Sequence, residues 1–191
     1  MPNDRLADFG LDPKRRTLLI FGGSRGAPMI NQAAVNAIPV FGQSNFQTLF
    51  VTGRRHFDTI QKQLPSLPDN VKVVPYVDDM PAILPDIALV IGRSGATSIA
   101  ELTALGIPSV LIPSPNVTGN HQFINAQSLK KAGAALVVPE PQLDDHFGQM
   151  VADLMQDDVR LLDMTRAAKS LGVPDASDRL IQLMQQAIKE H

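Results

Sequence analysis

The stretch that decides the fold is "LVIGRSGATSIAELTALGIPSVLIPSP", residues 89–115. An apolar run stops at Gly92-Arg93-Ser94-Gly95, a helical pattern carrying Glu101 follows, and a second apolar run ends in prolines. Two apolar runs joined by a helix read as parallel neighbours, because parallel strands need a crossover connection. Their unbroken apolar character fits strands covered on both faces.

The same alternation extends in both directions. Toward the N-terminus, "TLLIF" (17–21), "QTLFVT" (47–52), "VKVVPYV" (71–77) and "IALVIG" (87–92) read as strands. Helical patterns over 28–38, 55–64 and 81–84 separate them. Toward the C-terminus come a helix over 97–105, the strand "SVLIP" (109–113), a helix near 121–132 and the strand "ALVVP" (135–139). From residue 144 the pattern is helical, broken near Gly172-Val173-Pro174, with a last amphipathic helix over 177–189. The expected fold is therefore α/β, a Rossmann-like doubly wound parallel sheet of about six strands. Residues 1–191 read as a single domain, a size that one hydrophobic core serves well. In such sheets ligands sit beyond the carboxyl ends of the strands, here after Phe21, Thr52, Val74, Gly92, Pro113 and Pro139.

Composition removes several function classes. With 44% apolar residues the chain expects a packed core, and a net charge of −2 gives no reason to propose nucleic acid as partner. It has no cysteine, so disulfides and thiolate metal sites are excluded. His56, His121, His146 and His191 show no paired ligand spacing, so no metal site is expected. No apolar run approaches the roughly 20 residues of a membrane span.

Four constellations lie at the expected strand exits. In "FGGSRGAPMIN" (21–31), Gly22, Gly23 and Gly26 let the backbone approach a ligand, and the following helix start attracts phosphate. Ser24 adds a hydroxyl. The spacing is neither G-x-G-x-x-G nor a G-K-[ST] loop, and "FQTLFVT" (46–52) lacks the acid that holds an NAD ribose. Hydride chemistry is disfavoured. In the second constellation, Gly92 and Gly95 open a helix start, and Glu101 is placed either to accept hydrogen bonds from sugar hydroxyls or to close a capping box with Ser98. Spacing alone leaves both readings open.

The third constellation is "NVTGNHQFIN" (116–125), whose Asn120, His121, Gln122 and Asn125 suit the reading of sugar hydroxyls. The fourth, "PYVDDM" (75–80), puts Tyr76 and Val77 at a strand exit, while Asp78-Asp79 reads as a helix cap.

Together "GGSRGA" (22–27), "YVDDM" (76–80), "GRSGATSIAEL" (92–102), "GIPSVLIPSP" (106–115), "HQFINA" (121–126) and "KAGAA" (131–135) resemble the C-terminal half of the MurG family. These are bacterial N-acetylglucosaminyltransferases of the two-domain GT-B type. The resemblance spans nearly the whole chain in order. It implies a UDP-sugar donor domain whose parent enzyme moves N-acetylglucosamine from UDP-N-acetylglucosamine to undecaprenyl-pyrophosphoryl-muramoyl-pentapeptide.

It further implies roles for single residues. Ser24 would touch the nucleotide diphosphate, and Val77 would offer its backbone to uracil beside Tyr76. Ala96 and Thr97, with the rest of segment 96–101, would lie along the donor, and Glu101 would bind ribose hydroxyls. His121 and Gln122 would read the transferred sugar. The general base is expected in an N-terminal acceptor-binding domain that these residues do not contain. That domain would also bring the lipid-linked acceptor, at the cytoplasmic face of the membrane. Neither cofactor nor metal is implied at the donor site. Family members commonly have glutamine at the positions of Arg25 and His121, which bears on donor contacts rather than on class. Two other readings stay open, the donor-binding subunit of a split transferase for another polyprenyl-linked glycan and a non-catalytic UDP-sugar-binding module.

Overall fold

The computed structural model describes residues 4–23, 27–115 and 120–172. Within them the six expected strands are all present: β1 (Thr17–Phe21), β2 (Gln47–Val51), β3 (Val71–Val74), β4 (Leu89–Gly92), β5 (Ser109–Leu111) and β6 (Ala135–Val137). They form one parallel sheet in the order β3-β2-β1-β4-β5-β6. The order reverses between β1 and β4, which is where a doubly wound sheet opens its crevice. Several strands are shorter than the apolar runs suggest. β3 ends before Pro75, and the runs toward Pro113 and Pro139 leave the sheet early, since proline has no N–H for the ladder.

Among the described residues seven α-helices flank the sheet: α1 (Pro28–Gly42), α2 (Phe57–Gln63), α3 (Met80–Ile83), α4 (Ala96–Leu105), α5 (His121–Ala132), α6 (Phe147–Gln156) and α7 (Asp158–Leu171). Side chains of a strand alternate between faces, so β1 feeds two cores. Leu18 and Ile20 pack with Ile30, Phe41, Phe147, Val151, Leu154 and Met164, beneath α1, α6 and α7. Leu19 packs on the other face with Leu49, Val90, Ile83, Leu84 and Leu102. A smaller cluster joins Leu111 to Ala126 and Leu129 of α5. Each fully buried Leu or Ile contributes about 1.5–3 kcal/mol, so both faces are needed to hold a parallel sheet.

The opening residues differ from their polar appearance. Residues Asp4–Phe9 form a 3-10 turn whose Leu6 is fully buried, and Leu11 follows it into the second core. At the base of β1, Arg16 donates to the Met155 carbonyl and pairs with Asp158 at 2.6 Å. That clamp fixes the α6–α7 junction under the first strand. No helix among the described residues is long and apolar enough to cross a membrane. The amphipathic pattern over 177–189 lies outside the described residues.

Candidate functional site

The carboxyl ends of the strands carry a cleft of about 220 Å³, lined among others by Phe21, Gly23, Tyr76, Val77, Ser98 and Glu101. It straddles the reversal point and unites the first, second and fourth constellations. Gly92 makes the close approach there necessary. A Cβ at this position would stand 3.0 Å from the Phe21 carbonyl oxygen. Gly23, with φ +85°, has open space around it, so its glycine answers a backbone demand rather than a steric one. Ser24 and Gly26 lie outside the described residues, and Gly22 is buried at the β1 exit.

The second constellation loses one of the two readings left open by spacing. α4 begins at Ala96, and its N-cap is Gly95, with φ −66° and ψ 149° and no side-chain cap. Ser98 is therefore the third helical residue rather than the cap, and the capping-box reading falls. The amides of Ala96, Thr97 and Ser98 open the helix without a side-chain acceptor, an arrangement suited to an anion. Glu101 is exposed on the cleft wall and has no hydrogen-bond partner among the described residues.

At the β3 exit the side chain of Val77 is buried in the second core, and its backbone N–H and C=O have no partner among the described residues. A donor and an acceptor in register on one residue suit the edge of a planar base. Tyr76 is exposed beside it. The Arg54 guanidinium lies 4.5 Å from the Tyr76 ring centroid and reaches Asp78 at 3.4 Å. Asp79 caps α3 by accepting from the Ala82 amide, as its position suggests.

The third constellation is tied to the second through Ser94, which is fully buried. Its hydroxyl donates to the Gln122 carbonyl at 2.7 Å, and its own carbonyl accepts from Asn125 Nδ2 at 3.2 Å. The Gln122 side chain is partly committed, since its Oε1 accepts from the Ser114 amide at 3.0 Å. Its Nε2 has no partner among the described residues, so the residue keeps both of its donors for a ligand. His121 is exposed at the first position of α5, following Asn120 at φ 52°.

Arg93, between the two glycines, does not face the cleft. It donates to the Ile112 carbonyl at 3.0 Å and pairs with Glu140, both side chains 15% exposed. Sequence reasoning missed this pair, because 47 residues separate its partners. No group of three potential metal ligands occurs among the described residues. A second concavity of about 340 Å³ lies beyond β5 and β6, walled by prolines.

Residues 17–180 match the family model of the Glycosyltransferase family 28 C-terminal domain. A UDP-N-acetylglucosamine--N-acetylmuramyl-(pentapeptide) pyrophosphoryl-undecaprenol N-acetylglucosamine transferase of Lacticaseibacillus casei is 63% identical over 96% of this chain and 50% of its own length. The namesake protein of Lactiplantibacillus plantarum is 52% identical over 96% of this chain and 52% of its length. The chain thus spans about half the length of the curated relatives it matches. Among solved structures, MurG of Acinetobacter baumannii superposes with a TM-score of 0.79 at 25% identity, over 91% of this chain and 52% of that one.

Proposed function

We propose, from the premise that this chain belongs to the glycosyltransferase family 28 C-terminal domain family, that it is the donor-binding half of an inverting N-acetylglucosaminyltransferase. The full enzyme would move N-acetylglucosamine from UDP-N-acetylglucosamine to undecaprenyl-pyrophosphoryl-MurNAc-pentapeptide, as the names of the relatives indicate for those proteins. The observation that carries the reading is the uncapped start of α4 in the same cleft as Glu101 and the open backbone of Val77. Diphosphate, ribose and base each find a matching group.

In this reading the uracil edge meets the Val77 backbone beside Tyr76, and ribose hydroxyls donate to Glu101. The diphosphate lies against the starts of α1 and α4, with Ser24 contributing a hydroxyl. Gln122 Nε2 and His121 face the sugar. An acceptor hydroxyl attacks the anomeric carbon, the bond from that carbon to the diphosphate oxygen breaks, and UDP departs with inversion. The hydroxyl proton passes to a base in the N-terminal acceptor-binding domain, which would also present the lipid-linked acceptor at the membrane surface. Developing charge on UDP is met by helix-start amides, each worth up to about 3–4 kcal/mol when preorganised in a water-poor site. No residue of this chain is given the role of catalytic base.

Calorimetric titration of the chain with UDP, UDP-N-acetylglucosamine and NAD tests the assignment. UDP and the UDP-sugar bind saturably, NAD does not, and Glu101→Ala weakens nucleotide binding by about 2 kcal/mol through the loss of charge-assisted hydrogen bonds. Saturable NAD binding, or a Glu101→Ala variant with full affinity, would sink the reading. The chain alone forms no product from donor and acceptor. Turnover without a second polypeptide would remove the half-enzyme assignment.

A further inference from the structure

We infer that Arg54 is a positioning residue for the nucleotide base, holding the segment Tyr76–Asp78 so that the Val77 backbone stays set to read a uracil edge. The inference rests on the donor reading above and adds a residue which that reading does not use.

The need for such a residue comes from the backbone. Val74 ends β3 with its carbonyl accepting from the Thr52 amide, and Asp79 already caps α3. Between them Tyr76, Val77 and Asp78 make no backbone hydrogen bond among the described residues. The Val77 side chain anchors the segment from below, in the core that also holds Leu6 and Ile83. One buried side chain leaves the peptide planes on either side free to turn about φ and ψ. With them would turn the N–H and C=O that are to meet the base.

Arg54 supplies the missing restraint from the neighbouring strand exit. It follows Gly53, whose φ of +83° turns the chain after β2. Its guanidinium lies over the Tyr76 ring, 4.5 Å from the centroid, and its Nη2 donates to Asp78 Oδ1 at 3.4 Å. One planar cation thus engages the residue before Val77 and the residue after it. Arginine suits this double task, since its plane stacks on a ring while its edge donates. Either contact alone is weak in water, because the Arg54 and Asp78 side chains are 71% and 92% exposed. Their value lies in placement, one on each flank of the residue whose backbone is open. Gly53, Tyr76 and Val77 all line the cleft, so this bracket borders the site itself. Asp78 also offsets the charge of Arg54, so the arrangement is a poor lure for phosphate and a good brace for a base.

The test measures UDP and CDP binding by calorimetry on the wild-type chain, Arg54→Ala and Arg55→Ala, and follows tyrosine emission in each. Both arginines are exposed, so the variants are expected to fold, and thermal melts check this. The two nucleotides carry the same diphosphate and differ only at the base edge. The wild type prefers UDP by about tenfold, because cytosine offers a donor where uracil offers an acceptor. Arg54→Ala cuts that preference to within about threefold, the scale of an exposed cation–π contact. Arg55→Ala removes the same charge from the next residue and keeps the preference. Tyr76 is the one tyrosine in a chain without tryptophan, so emission anisotropy reports on that ring alone. It falls in Arg54→Ala and holds in Arg55→Ala. Retention of either the preference or the anisotropy in Arg54→Ala overturns the inference, including the case in which UDP and CDP weaken by one factor. An equal loss of preference in Arg55→Ala overturns it as well, since charge alone would then explain the effect. A wild type that binds UDP and CDP equally also overturns it, while its UDP binding upholds the donor reading. Failure of the wild type to bind UDP removes both.

Discussion

The two concavities at the carboxyl edge of the sheet are built from opposite kinds of strand exit. β1, β2 and β4 leave through Gly22-Gly23, Thr52-Gly53 and Gly92, whereas β5 and β6 leave into Pro113-Ser114-Pro115 and Pro139-Glu140-Pro141. Glycine lets a ligand reach backbone N–H groups, and proline removes them and fixes the chain. One side of the α4 start therefore offers hydrogen-bond donors to an anion, and the other offers rigid apolar walls. β3 is the mixed case, since Pro75 ends the strand and the next two residues present a ring and an open backbone.

The harshest way to break the contrast is to cut the tie between its two sides. Arg93→Ala removes both the bond to the Ile112 carbonyl and the partner of Glu140, and leaves a largely buried carboxylate. Chemical denaturation is expected to show a loss of about 3 kcal/mol, and Arg93→Ala with Glu140→Gln recovers part of it. A loss within 0.5 kcal/mol, on the scale of an ordinary surface substitution, would mean that the two sides stand independently. A smaller effect comes from the glycine side. Gly23→Ala meets no atom within 4 Å, so its cost is the left-handed backbone alone, about 1–2 kcal/mol in the same measurement. The proline side gives the smallest change. Pro141→Ala, in the short turn Glu140–Gln142, lowers stability by about 0.5–1 kcal/mol through the unfolded chain and leaves UDP affinity alone. Loss of UDP affinity in that variant would merge the two concavities into one site.

Much of the architecture was legible because it is periodic. Buried parallel strands read as apolar runs such as "TLLIF" and "QTLFV", and glycines mark the places where several of those runs turn. Tertiary pairing left less trace. Leu6 and Leu11 look like stray apolar residues in a polar leader until Leu19 and Leu49 are placed beneath them. The Ser98–Glu101 spacing fits a capping box or a ligand-facing acid equally, and the capping box falls only with the observed start of α4 at Ala96. Gln122 reads as a free amide in sequence, yet half of it is taken by Ser114, which reaches it across the end of β5. The proline-walled concavity was invisible for the same reason. Met29, Phe123 and the four prolines come from segments spread over more than half the chain.

The central place of β1 has a further consequence, for the order in which the chain can be made and folded. Thr17–Phe21 leaves the ribosome before its cover does, since one of its neighbours, β4, ends at Gly92, and the side chains that cover Leu18 and Ile20 reach as far as Met164. At roughly 5–20 residues per second, synthesis needs about seven to thirty seconds to supply that cover. Through that interval the β2–β1–β4 portion holds an apolar face to solvent, where chaperones or a neighbouring nascent chain can reach it. Arg16 can grip Met155 and Asp158 only once both have been made. The clamp at the base of the first strand thus belongs to the late part of synthesis, although the strand it holds is made first.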